Sequence, residues 1–168
     1  MLEEVQEHFD KLEKGRLALL QKVSHLPAEL VTRKPGPDRW SILEDVQHLV
    51  LAEQRTVPGA GSISDSDEKN PDMLKVVLKV LDQDVAVDVP DPAMMPGGEA
   101  ELEDLIQDWE QVRKRLHEFL ANCGPEDLGK PVSIHPVTGT LNVVDLLHLI
   151  DSHFNHHRRR IEAAVESG

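Results

Sequence analysis

Apolar residues recur at helical spacing in four long stretches of the chain. In the first, Leu2, Val5, Phe9, Leu12, Leu19, Leu20 and Val23 share a face, and Pro27 closes the segment. A single helical turn over 28–31 follows, and Lys34-Pro-Gly-Pro-Asp38 is a rigid break. The second helix starts sharply. Ser41-Ile-Leu-Glu44 has the form of a capping box, in which Ser41 caps the first turn and Glu44 reaches back to the Ser41 amide. Ile42, Leu43, Val46, Leu49 and Val50 form its apolar stripe, which runs to about Arg55 and ends at Pro58-Gly-Ala-Gly-Ser62. Residues 99–123 form the third helix, with Leu102, Leu105, Ile106, Trp109, Val112, Leu116, Phe119 and Leu120 in register, and Gly124-Pro125 stops it. Asn142 caps the fourth, with Asp145 at the reciprocal position, and that helix runs to about Val165.

The stretches between are less regular. Residues 58–72 are rich in Gly, Ser, Asp and Pro and are predicted to be a mobile connection, with a lid over a site as the alternative. Met73–Leu81 reads as a short helix in preference to a strand through Val76, Val77 and Val80. Residues 88–98 and 125–140 read as irregular. With no strand pairing, internal repeat or boundary evident, residues 1–168 are expected to form a single all-α domain, a four-helix bundle with irregular connecting loops.

Composition supports the helical reading. Tyr is absent and aromatics are 3% of the chain, so Leu, Val, Ile and Ala do most of the packing. A net charge of −13 argues against non-specific binding to nucleic acid or to an anionic membrane. Arg158-Arg-Arg160 is the one basic run. It suits the C-terminal part of a helix, with an anchor for an anionic substrate group as the sharper alternative. Cys123 is the only cysteine, which excludes an intramolecular disulfide and fits a cytoplasmic protein. The opening residues lack the order of a signal peptide, and no apolar run is long enough to span a membrane.

The candidate chemistry lies in the last helix. At about 100° per residue, Leu146, Leu147, Ile150, Phe154, Ile161 and Ala164 fall on one arc. His153 and His157 lie within it, about 40° apart, and so point toward the core. Imidazoles one turn apart suit two nitrogens converging on one divalent ion. The alternative is a pair of core histidines satisfied by carbonyls or carboxylates. A catalytic site of the zinc type needs a third protein ligand, from another helix, and an open position where water or a thiol would lose its proton. Periodicity does not supply that ligand: His48 lies off its helix's stripe, beside Glu44, Leu51, Ala52 and Arg55, and reads as a surface residue. His156 falls on the polar edge of the arc, suited to solvent or to supporting a ligand from behind. His8, His25, His117 and His148 read as solvent-exposed, and His135 as a loop residue. The absence of a His-Glu-x-x-His run argues against a zincin-type protease.

Two segments resemble a known family. Trp40-Ser-Ile-Leu-Glu-Asp-Val-Gln-His48-Leu49 resembles the Trp-Ser-x-x-Glu-x-x-x-His-Leu segment of the DinB-like (DinB/YfiT) superfamily. His135-Pro-Val-Thr-Gly139-Thr-Leu141, followed by His153-x-x-x-His157, resembles that superfamily's final loop and last helix. The resemblance implies a bundle of the DinB/YfiT type holding one divalent metal ion, nickel or zinc, on His48, His153 and His157. It also implies a metal-dependent enzyme of the thiol-transferase or hydrolase type, a small-molecule partner such as a low-molecular-weight thiol, and a homodimer. A non-catalytic bundle, stabilised by metal or serving stress-related binding or dimerisation, is the alternative. Glu44 could act as a base, although the capping box accounts for it. Where family members carry Gln three residues after the last ligand, this chain has Arg160, a cation that would favour an anionic substrate or lower the pKa of a nearby thiol.

Overall fold

The computed structural model describes residues 1–59, 69–83, 88–97 and 99–168. The four long periodic stretches are helices: α1 (Glu3–Ser24), α3 (Ile42–Thr56), α5 (Leu102–Ala121) and α6 (Val143–Glu166). Two shorter helices join them, α2 (Ala28–Thr32) and α4 (Pro71–Leu81). The helical reading of the 73–81 stretch holds, and the helix begins two residues earlier because Asn70 caps it and Pro71 occupies its first turn. The expected mobile connection at 58–72 falls largely on residues 60–68, outside the described residues.

Both predicted caps are present at the ends that matter for the site. Ser41 Oγ accepts from the Glu44 amide at 3.1 Å, and the Ser41 amide donates to Glu44 Oε2 at 2.8 Å. Asn142 Oδ1 accepts from the Asp145 amide at 2.9 Å. Asp145 does not close the reciprocal bond. Its carboxylate pairs with Lys69 at 2.8 Å, which draws the start of α4 onto the start of α6.

α3 packs on both α5 and α6, and α1 packs on the same two helices. The bundle therefore sets α1 and α3 at diagonal corners, with α4 laid against α6. Two clusters of buried side chains fill it, one around Phe9, Leu116 and Leu146, the other around Leu49, Trp109 and Phe154. Gly15 sits in α1 despite its poor helix propensity because Phe154 lies against it. A Cβ there would stand 3.0 Å from Phe154 Cε1.

One expectation fails. The stretch read as irregular over 125–140 contains an antiparallel hairpin, β1 (Ser133–His135) paired with β2 (Gly139–Leu141). Strands of three residues are too short to show alternation, and the turn depends on Gly139, whose φ of 71° only glycine adopts freely. The hairpin is tied on two sides. Ser133 Oγ donates to the Thr56 carbonyl at the end of α3, and the Asn70 amide donates to the Thr138 carbonyl at the start of α4.

Candidate metal centre

α3 and α6 run side by side, and they carry the three histidines that meet. His48 comes from α3, His153 and His157 from α6. One nitrogen from each ring lies within 4.8 Å of the other two. His48 Nε2 and His153 Nε2 are 3.0 Å apart. Two nitrogens at that spacing can share a hydrogen bond in the metal-free protein or meet at one ion.

The partners of the opposite ring nitrogens decide which atoms are free. His48 Nδ1–H donates to the Met94 carbonyl at 2.7 Å, because a carbonyl can only accept. His157 Nδ1–H donates to Asp45 Oδ1 at 2.7 Å. Each bond places the ring proton on Nδ1 and leaves Nε2 with a bare lone pair aimed at the cluster. Burial holds all three rings neutral: His48 is pushed below the usual histidine range, His153 and His157 well below it, and neighbouring histidines push the same way. Neutral imidazoles with free lone pairs are the form that binds a cation.

Asp45 occupies an unfavourable place for a carboxylate. Burial pushes it up to about 7, against the pull of the Arg160 guanidinium and of His48. Arg160 Nε stands 3.7 Å from Asp45 Oδ1, and its guanidinium lies 5.9 Å from the centre of the Trp40 ring. Trp40 in turn stacks on His157 at an interplanar angle of 14° and lies 4.9 Å from His48. The cluster opens onto a cleft of about 370 Å³. Trp40 and Arg160 line it near the N-terminal end of α3. Met94, Leu149 and Ile150 give it an apolar wall, and His135 reaches it from the hairpin.

Glu53 also lines the cleft, but both of its oxygens are already engaged. Arg113 grips both of its oxygens at 2.7 Å, and Trp109 Nε1 adds a bond at 3.0 Å. Arg113 also reaches Glu13 at 3.1 Å, which ties α1, α3 and α5 through buried charge.

The residues singled out in the sequence are distributed as follows. His48 is buried, although its position off the apolar stripe suggested the surface. It belongs to a second buried stripe, Asp45, His48, Ala52 and Thr56, at helical spacing. His156 is 1% exposed, not at a solvent edge. Its Nδ1–H donates to the Leu81 carbonyl of α4, and its ring lies 5.0 Å from that of His157. Glu44 closes the capping box, pairs with Lys34 at 3.0 Å, and is not among the residues lining the cleft. Sequence reasoning did not find Asp45, the Met94 carbonyl, Trp40 or His135. The second stripe on α3 was the available signal for Asp45. A backbone carbonyl supplied by a loop 46 positions away has no signature.

The family model described as the DinB superfamily matches residues 11–161. Among solved structures, the chain is similar to TT2238, a four-helix bundle protein. The TM-score is 0.58 and the identity 20%, over 95% of this chain and 98% of that one. At that identity the likeness supports the fold and nothing finer. No curated protein matches the sequence.

Proposed function

The chain belongs to the DinB superfamily, and from that premise we propose that it is a divalent-metal-dependent enzyme of the thiol-transferase or hydrolase type. His48, His153 and His157 hold the ion, nickel or zinc, as an all-nitrogen set suits. The observation that carries this reading is the convergence of three neutral imidazoles, two with their bare nitrogen fixed by a partner, beside an open cleft. A purely structural ion would be enclosed by a fourth protein ligand, and the described residues bring only three together.

Such an ion supplies Lewis acidity to a nucleophile entering beside it. The chain's own residues do the rest. The Met94 carbonyl and Asp45 fix the tautomers of His48 and His157. Trp40 covers the cluster on one side, and Arg160, stacked on it, offers a cation to an anionic group of the substrate. Met94, Leu149 and Ile150 give the cleft an apolar lining. A volume of about 370 Å³ suits a small molecule of the size of a low-molecular-weight thiol.

The test is the metal content of the native chain purified without an affinity tag. Close to one nickel or zinc per chain is expected, and its loss in His153→Ala. A chain that takes up neither metal on reconstitution, with no change in melting temperature, refutes the proposal.

A further inference from the structure

His135 does no work in the reading above, yet its ring is held with more care than a loop residue needs. It ends β1, and its Nδ1 accepts two backbone amides of the turn that follows, from Val137 at 3.2 Å and from Thr138 at 3.3 Å. A nitrogen that accepts has no proton of its own, so the neutral ring must carry its proton on Nε2. This is the reverse of His48 and His157, whose partners take the Nδ1 proton and leave Nε2 bare. The two kinds of histidine face one cleft in complementary states. His48 and His157 present lone pairs, and His135 presents a donor.

The donor is unspent. His135 lines the cleft, and its Nε2 makes no hydrogen bond among the described residues. The ring cannot easily reverse its role, because a proton on Nδ1 would face two N–H groups and cost both bonds. Its scaffold is fixed as well: β1 is tied to α3 through Ser133, and the turn to α4 through Thr138. A side chain on a doubly anchored turn, with one tautomer enforced, is preorganised to donate.

We propose that His135 donates its Nε2 proton to the ligand that enters the cleft beside His48, His153 and His157. The ligand class is then one whose acceptor atom, an oxygen, nitrogen or sulfur carrying negative charge, sits at the open side of the triad. The inference rests on the metal-centre reading, and it adds the group that holds the incoming anion.

The test uses the full chain loaded with cobalt(II), whose visible spectrum reports a ligand entering its coordination sphere, and sodium azide as the probe anion. His135→Leu is expected to weaken azide binding about tenfold while cobalt affinity stays unchanged. His135→Gln, which returns an N–H donor, is expected to recover most of the loss. Equal azide affinity in the wild type and His135→Leu overturns the proposal. A second measurement needs no variant: ¹⁵N-histidine spectra of the metal-free protein should show His135 protonated on Nε2, and a proton on Nδ1 overturns the proposal. Failure of cobalt to bind at all is a separate result, which removes the metal centre itself and the proposal with it.

Discussion

Asp45 shows how a single residue trades stability for a site. Its carboxylate is pushed up to about 7 from an ordinary 3.8, chiefly by burial. The fold therefore binds that proton more tightly than the unfolded chain does. The contribution of Asp45 to stability falls as the pH rises from about 4 to about 7 and stays unfavourable above. Asp45→Asn keeps an acceptor for His157 Nδ1–H and removes the buried charge, so the metal-free variant should melt several degrees higher than the wild type at pH 8. The same change should weaken nickel or zinc binding by about 10–100-fold, because the ionised carboxylate orients His157 and makes it more basic. Calorimetric titration and thermal melts read the two effects separately. Wild-type affinity should also climb as the pH rises through 7, where Asp45 loses its proton, and Asp45→Asn should flatten that climb. An unchanged profile would remove Asp45 from the site.

At the scale of elements, the long helices were legible because their cores repeat at a 3.6-residue period and their ends carry side chains with specific capping chemistry. Ser41 and Glu44 illustrate this: the same bonds expected from the sequence are present. Ser41→Ala should cost about 1 kcal/mol in urea unfolding. Glu44→Gln keeps an acceptor for the Ser41 amide and should leave metal content unchanged, whereas a ligating Glu44 would lose metal. His48 was not legible from periodicity, because its stripe on α3 mixes Asp45, Ala52 and Thr56 and is buried by α6 and by the chain around Met94 rather than by the apolar core. The hairpin escaped notice because its pairing is set by contacts with Lys69, Asn70 and Thr56, distant in sequence. The Arg113–Glu53–Trp109 network belongs to this scale too, since each member sits on an apolar face and reads as a helix surface charge or a core aromatic until the helices are assembled. Arg113→Met leaves Glu53 buried and unpaired and should destabilise the protein by about 3–5 kcal/mol. Glu53→Gln together with Arg113→Met should recover part of that loss in the same urea titration.

For the whole molecule, the histidines join parts of the chain more than a hundred positions apart: His48 lies 105 residues before its 3.0 Å neighbour His153. An ion held by both α3 and α6 would therefore cross-link the bundle, and its binding free energy would add to folding. At a free metal concentration a thousand times Kd the gain is about 4 kcal/mol. Without the ion the same cluster is a liability in acid. His48, His153, His157 and His156 all titrate below the ordinary 6.5 because burial opposes their charge, and Arg160 opposes protonation of His48, His156 and His157 as well. The unfolded chain binds those protons more readily, so the stability they contribute is complete above about 6.5 and is lost progressively as the pH falls from there through the lowered folded values. Asp45 acts in the opposite sense over the same window, but it is one group against four. The metal-free protein should therefore melt at a lower temperature at pH 5 than at pH 7. Nickel or zinc should raise the melting temperature at pH 7.5 and raise it less at pH 5, where Asp45 is protonated and no longer supports His157 as a carboxylate. His153→Ala should abolish the metal-dependent rise and blunt the acid sensitivity together. A variant that kept the full rise would place the ion elsewhere in the bundle.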